Sequence, residues 1–589
     1  MTRLSNDPAA FADEALEGFV AAHPRRVRQV PGGVVRATRT APGQVAVVVG
    51  GGSGHYPAFS GLVGQGLAHG AAVGNVFASP SAHQVRRVAR AAETGGGVLL
   101  AYGNYAGDVL HFGQAAEQLT AEGIPARTLG VTDDMSSASP DEAHKRRGVA
   151  GDLVVFKTAA AAAEAGHPLD EVTRIAELAN SRTRSFGVAF SGCTLPGADH
   201  PLFTVPEGRM AVGLGIHGEP GMGERPVPSA DEAAELLVST VLGELPQGVT
   251  SPGGQRAAVI LNGLGSVKYE ELFVVYRRVA QLLDEAGVQA VDPEVGELVT
   301  SFDMAGVSLT LCWLTDELEP LWTAPADAPA YRKGTVDAAD LITGDTAAGT
   351  ADEAVAPATG TCDEAVPPAT DASREAARTA LAALRVLKDT VDDHADELGR
   401  VDAVAGDGDH GIGMQRGSTG AYEAAARAEA LGAGAETLLH RAADAWADRA
   451  GGTSGALWGV ILRALGSALG DTDRPTAPVV AAGVSEAAAG VMRLGKAEVG
   501  DKTMVDVLVP FSYALTAATE AGRPLATAWD TAAHSASAAA EATADLLPRM
   551  GRARPHAEKS LGTPDAGAHS LALIVRAVHG VFAPTLENH

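Results

Sequence analysis

The sequence predicts two domains of different class, an α/β region followed by an all-α region. Three observations predict it: strand-like runs alternating with helix-length segments up to about residue 333, a polar stretch after them, and Ala- and Leu-rich periodicity from there on. At 589 residues the chain is too long for one simple core.

In the first region the runs "QVAVVVGG", "GGVLLAYG", "PARTLGVTDD", "RSFGVAFSG", "RMAVGLGIH" and "RAAVILNG" are short, apolar and punctuated by glycine. Such runs read as buried strands, and the helix-length segments between them make the region α/β. Residues 334–373 are rich in Ala, Thr, Asp and Pro and hold almost no bulky apolar residue after Ile342. That composition cannot bury enough surface to offset ordering entropy, so it reads as a linker between domains 1–333 and 374–589. Beyond it, "SREAARTALAALRVLKDTVDDHADELGRV" carries apolar residues at helical spacing, with Ser373 and Glu375 as an approximate capping start. "SGALWGVILRALGSAL" and "PLATAWDTAAHSASAAAEATADLL" continue the same texture, so the second domain reads as all-α.

The net charge is −27, and Arg residues lie scattered among acids without a basic stripe, which argues against a nucleic-acid partner. No apolar run approaches the length of a membrane span, and the early acids at the N-terminus do not resemble a signal peptide. The expectation is a cytoplasmic protein. Cys193, Cys312 and Cys362 are odd in number and lack metal-ligand spacing, which fits a reducing compartment.

Four constellations could carry chemistry. In "VVVGGGSGHYPAF" a strand runs into Gly52, Ser53, Gly54 and His55, where bare backbone can approach a small polar ligand; the competing reading is a tight structural turn. In "GNYAGDVLHF" Asp108 is either a helix cap or, beside His55 and His217, a partner in proton transfer. In "GLGIHGEP" small neighbours leave space around His217, whose imidazole could meet a carbonyl compound or serve structure alone. In "VDAVAGDGDHG" Asp402, Asp407 and Asp409 crowd one glycine loop. Carboxylates so close repel unless a cation such as Mg²⁺ intervenes, the alternative being a solvated acidic loop. "RAGGTSGALWG" then offers free N–H groups to an anion at a helix start, and "GDKTM" and "SLGTPDAGA" add polar glycine loops. Together they look like a nucleotide–Mg²⁺ site at one end of a helical bundle.

Taken in order, "GGGSGH", "GNYAGD", "RRGVAG", "GIHGEPG", "GDGDHG", "GGTSGALWG", "GDKTM" and "SLGTPDAGA" resemble the motif series of the ATP-dependent dihydroxyacetone kinase family in its single-chain form. The resemblance implies two α/β lobes that bind a short ketose and a helical barrel that holds Mg-ATP. It implies that His217 bonds covalently to the substrate carbonyl as a hemiaminal. His55 and Asp108 would hydrogen-bond the sugar and assist proton transfer, with Gly52, Ser53 and Gly54 contacting it. Asp402, Asp407 and Asp409 match Mg²⁺ ligands. His410, Thr453, Ser454, Gly495, Thr503, Met504, Asp565, Ala566 and Gly567 match positions around the nucleotide. A homodimer is also implied.

The sequence departs from the family in two places. Gly103 stands where dihydroxyacetone kinases usually carry Lys, and Tyr56 where they carry Glu. Losing the Lys removes a cationic donor near the sugar and opens volume. D-erythrulose, phosphorylated to D-erythrulose 4-phosphate, is therefore favoured over dihydroxyacetone and its phosphate. The alternatives are an FAD-AMP lyase that forms cyclic flavin phosphate on the same nucleotide domain, and a non-enzymatic ketose-binding regulator. A full set of metal carboxylates argues against the regulator.

Overall fold

The computed structural model describes residues 4–342, 366–404, 406, 408, 410–550 and 559–582. The chain divides into two compact units, Met1–Val355 and Ala356–His589. Residues 343–365, which make up much of the expected linker and include Cys362, lie outside the described residues.

The first unit contains two large sheets. The first is built from β1 (Val27–Val30), β2 (Gly33–Arg36), β3 (Ala46–Ser53), β4 (Gly70–Val76), β5 (Val98–Gly103) and β6 (Ala126–Val131) in the order β1-β2-β4-β3-β5-β6. β4, β3, β5 and β6 are parallel, and β1 and β2 form an antiparallel hairpin at one edge. Around it lie α1 (Phe11–Ala22), α2 (Ala82–Ala92), α3 (Ala106–Ala121), α4 (Gly151–Glu164) and α5 (Leu169–Ser181). Alternate residues of β3 serve two cores. Ala46 and Val48 pack with residues of α2 and α3, while Val47 and Val49 pack with residues of α4 and α5. Both faces are covered, which is why the run reads as continuously apolar instead of alternating.

The second sheet comprises β7 (Thr183–Ala189), β8 (Arg209–Val212), β9 (Gly223–Pro226), β10 (Arg256–Gly263), β11 (Gln289–Ala290), β12 (Glu294–Gly296) and β13 (Gly306–Trp313). Its order is β11-β10-β13-β7-β8-β9, with β12 also on β10, and most neighbours are antiparallel. α6 (Ala230–Leu242) and α7 (Tyr269–Glu285) cover one face. α4 is buried from Gly151 to Ala163 and shares its core with both sheets, through Val47 and Leu99 on one side and Ile260 and Cys312 on the other. A helix buried on every side belongs in such a position.

The second unit is all helix: α8 (Asp371–Asp402), α9 (His410–Ala430), α10 (Ala435–Ala450), α11 (Gly452–Leu469), α12 (Ala477–Gly495), α13 (Val505–Glu520), α14 (Leu525–Ala542) and α15 (Ala566–Phe582). Each packs on the next, and α15 returns to α8, closing the ring. Connected neighbours run antiparallel, so α9, α11, α13 and α15 all begin at one end. The interior holds an apolar cavity of about 290 Å³ between Leu387, Trp458, Phe511, Trp529 and Val575. α12 is apolar and long enough to cross a membrane by length and composition. Here it is one stave of the ring, with Ala481, Val484, Ala487 and Val491 in the common core.

The start of α8 differs from the capping reading. Thr370 is the N-cap and accepts the Ser373 N–H at 3.2 Å. Ser373 is instead buried, donating to Gly470 O at 3.0 Å and accepting the Ala435 N–H at 2.9 Å. Its hydroxyl ties helix ends together, a tertiary use that local spacing does not reveal.

Candidate active site

β3, β5 and β6 are parallel, so their carboxyl ends open on one crevice, where ligands of open α/β sheets bind. His55 follows β3, Asp108 lies in the first turn of α3 after β5, and both are buried. His217 follows β8 of the second sheet in a turn and is also buried. The fold brings the two histidines together, with their Nε2 atoms 3.0 Å apart.

The protons of this pair can be placed from their partners. Thr300 O, a carbonyl that can only accept, lies 2.7 Å from His55 Nδ1, so Nδ1 carries the proton and Nε2 offers a lone pair. Burial, reinforced by His217, pushes the His55 pKa down to about 3, which keeps the ring neutral. His217 Nε2–H then donates to His55. On its other side His217 Nδ1 meets Glu219 Oε1 at 3.0 Å, and Glu219 Oε2 accepts the His217 backbone N–H at 2.9 Å. Glu219 fixes the ring, and Arg147 stands behind it, 3.7 Å from Glu219 and 2.7 Å from Asp134. Burial works against the Arg147 charge, but Asp134 and Glu219 together push its pKa up.

Aromatic rings wall the pair. Phe77 stacks on His55 with centroids 4.8 Å apart, and Tyr105 meets His217 edge-on at 4.8 Å. Phe77 and Phe302 both hold left-handed backbone, at φ 53° and 47°, and touch each other at 5.2 Å. Bulky residues adopt that region only where packing imposes it, and such sites cluster around ligands. Gly54, at φ 107°, answers the question of the bare loop. A Cβ there would lie 2.6 Å from Phe302 and 2.8 Å from Phe77. Gly52 and Ser53 complete β3, with Ser53 Oγ donating to Gly74 O at 2.7 Å. Asp108 sits one helical turn beyond Tyr105.

In the helical unit the nucleotide candidates gather at helix ends, most of them at helix starts. Thr453 and Ser454 open α11, and Gly495 ends α12 beside Leu457. Thr503 and Met504 precede α13, and Asp506 holds that loop by accepting the N–H groups of Thr503 at 2.8 Å and Gly500 at 2.5 Å. Asp565, Ala566 and Gly567 open α15, where a Cβ on Gly567 would lie 3.5 Å from the Met504 Cβ. His410, at the start of α9, meets Ser570 Oγ at 3.0 Å.

Asp407 and Asp409 lie outside the described residues; Asp402 does not. Its Oδ2 accepts the Gly408 N–H at 2.8 Å, and a Cβ on Gly406 would lie 2.5 Å from its Oδ1, so the loop wraps this carboxylate closely. Burial pushes Asp565 up to about 7, and the nearby charges of Asp402 and Asp506 add to the effect. Asp402 and Asp506 thus add negative charge near Asp565, with Lys502 as a nearby cation, an excess of carboxylate that a hard cation such as Mg²⁺ would offset. Among the described residues no group of three or more His, Cys, Asp or Glu side chains has metal-holding geometry.

Glu219, Arg147, Thr300, Phe77 and Tyr105 are functional neighbours that spacing alone does not single out. Glu219 and Arg147 do lie inside the motifs "GIHGEPG" and "RRGVAG".

Comparison with known proteins decides the family. The Dak1 domain matches residues 17–330 and the DAK2 domain residues 404–580. The chain belongs to the dihydroxyacetone kinase family. It is 63% identical to an L-erythrulose kinase of Pectobacterium atrosepticum, over 99% of this chain and 97% of that one. It is 55% identical to a D-erythrulose kinase of Mycolicibacterium smegmatis, over 98% of each. The structure of the C. freundii dihydroxyacetone kinase in complex with AMP-PNP and Mg²⁺ matches with a TM-score of 0.51 at 28% identity, covering 98% of this chain and 99% of that one. Both halves of this dihydroxyacetone kinase family member, the α/β lobes and the helical ring, therefore have counterparts in single-chain relatives.

Proposed function

We propose that the protein is an ATP-dependent kinase of a four-carbon ketose, erythrulose, which it holds as a hemiaminal on His217 while a terminal hydroxyl is phosphorylated. The full-length likeness to erythrulose kinases supports the substrate class. The single observation that carries the chemistry is His217 itself, clamped by Glu219 on Nδ1 and facing His55 through Nε2.

The capture step balances on these residues. His217, entering with protons on both ring nitrogens against Glu219 and His55, gives up its Nε2 proton to His55 and attacks the carbonyl carbon, so a C–N bond forms as the C=O π bond breaks and leaves its electron pair on oxygen. His55, whose pKa is pushed down to about 3, does not retain the proton and passes it to the new hydroxyl oxygen. Nδ1–H stays against the Glu219 carboxylate, which balances the charge on the alkylated ring. Capture positions a very small substrate and excludes a polyol, which has no carbonyl.

Asp108 takes the proton from the hydroxyl that is phosphorylated. ATP supplies the phosphoryl group, and Mg²⁺ neutralises charge on its phosphates. Asp402, Asp407 and Asp409 would hold the metal. His410, Thr453, Ser454, Gly495, Thr503, Met504, Asp565, Ala566 and Gly567 would surround the nucleotide, with the N–H groups opening α11, α13 and α15 facing phosphate. ADP release with ATP, Mg²⁺ and each ketose tests the reading. Turnover of erythrulose supports it, and turnover of no ketose overturns it.

A further inference from the structure

Glu219 does not hold His217 alone. The peptide that joins Ile216 to His217 is gripped at both polar atoms: Glu219 Oε2 accepts its N–H at 2.9 Å, and Ser301 Oγ donates to its carbonyl at 2.5 Å. Ser301 is fully buried and comes from a segment 85 positions further along the chain. A peptide unit is planar, so holding both atoms fixes the plane from which the His217 Cα departs. The turn has need of such an anchor. Gly215 lies two residues before His217 and Gly218, at φ 87°, directly after it, and glycine leaves a backbone freer than any other residue does.

Ser301 follows Thr300, and Thr300 serves the other histidine. Its carbonyl accepts the His55 Nδ1–H at 2.7 Å, its N–H donates to His55 O at 3.2 Å, and its hydroxyl donates to Tyr56 O at 2.9 Å. The Phe302 N–H donates to Gly54 O at 3.0 Å. Three consecutive residues thus hold both histidine loops, Thr300 and Phe302 on one and Ser301 on the other. The segment is itself anchored to the second sheet. Buried Asn262 of β10 accepts the N–H groups of Leu298 and Val299 at 2.9 and 3.0 Å and donates to Val299 O at 2.8 Å. The Ser301 N–H donates to Leu264 O at 2.9 Å. Neighbouring Cα atoms are a fixed step apart, so His55 and His217 are both referred to one short, rigid piece of backbone.

We infer that Ser301 is a positioning residue for capture of the ketose: with the Thr300 carbonyl on His55, its hydroxyl on the Ile216 carbonyl sets the 3.0 Å separation of the two Nε2 atoms. Ser301 acts through the backbone of His217. Its catalytic consequence rests on the proposed ketose kinase reading, whereas its effect on the contact between the rings does not. A misplacement of about 1 Å costs a reacting pair about 10²-fold in rate. Loss of one of the two anchors on the Ile216–His217 peptide is expected to cost about 10-fold.

The test compares the full-length wild type with Ser301→Ala and with Thr183→Val as a control. Thr183 pairs with Cys312 toward the end of β13, whereas the Thr300–Phe302 segment leads into its start. The Thr183 hydroxyl is buried and donates to Ala179 O at 2.7 Å, so its removal reports what losing a buried hydroxyl does by itself. Three quantities are read: Tm, kcat/KM for erythrulose, and, in ligand-free protein labelled with ¹⁵N-histidine, the coupling across the hydrogen bond between the two Nε2 atoms. Both variants are expected to lower Tm. Only Ser301→Ala lowers kcat/KM by about 10-fold and weakens or abolishes the coupling, while Thr183→Val keeps the coupling and stays within about 3-fold. A Ser301→Ala enzyme that keeps either the coupling or the rate overturns the assignment, as does a Thr183→Val enzyme that loses both. A wild type that phosphorylates no ketose overturns the kinase reading, and the coupling alone then decides whether Ser301 positions the rings.

Discussion

His55 and His217, separated by 162 positions in the chain, meet through their Nε2 atoms at 3.0 Å. One follows a strand of the first sheet and the other a strand of the second, and Thr300, which orients His55, also comes from the second lobe. The proposed ketose site therefore exists only when both lobes are folded together.

His217→Ala should abolish capture and lower kcat/KM by about 10²-fold or more, the scale of losing a positioned catalytic group. With a ketose labelled with ¹³C at the carbonyl, the wild-type complex should show a tetrahedral carbon signal that the variant lacks. A variant that turns over normally removes covalent capture from the mechanism.

Glu219 touches the ring of His217 and not the substrate, so it is a positioning residue. Glu219→Gln keeps the shape but loses the charge that balances the alkylated imidazole. We expect kcat to fall by about 10-fold or more, with the tetrahedral carbon signal weakened. An unchanged kcat and adduct would mean that Arg147 and the backbone suffice to hold His217.

The His55 pKa also predicts how stability varies with pH. Burial, then the charge of His217, push it from 6.5 down to about 3 in the fold. Between those values the unfolded chain binds a proton that the folded one refuses. The stability tied to His55 is therefore complete above about pH 6.5 and is lost as pH falls toward about 3. Asp133, pushed up to about 6 mainly by burial, acts in the opposite sense: its contribution is present below about pH 3.8 and lost as pH rises through about 6. Urea unfolding of wild type and His55→Gln between pH 4 and about pH 7 should therefore diverge, the wild type losing stability faster on acidification. Parallel curves would mean that His55 is not held neutral by the fold.

In the helical unit, Asp407→Ala is expected to abolish ATP turnover while leaving the tetrahedral carbon signal of bound ketose intact. Loss of both in a variant with wild-type Tm would contradict a division of labour between the two units.

Much of the fold was legible because its signals are local. β3 and β5 are apolar runs that end in glycine, and the helices of the second unit repeat Ala and Leu at helical spacing. β4, "GAAVGNV", is built of small residues and is buried by its neighbours more than by its own hydrophobicity. The site was legible only in part. His55, His217 and Asp402 stand in glycine-rich loops whose motif order identifies the family. Glu219 and Arg147 matter through contacts made across loops.

The most direct test of the central claim is kcat/KM with ATP and Mg²⁺ for D-erythrulose, L-erythrulose and dihydroxyacetone, in the wild type and in His217→Ala. The account predicts that the wild type prefers at least one erythrulose enantiomer to dihydroxyacetone and that His217→Ala loses turnover of all three. A wild type that prefers dihydroxyacetone, or a His217→Ala enzyme that retains its rate, would contradict it.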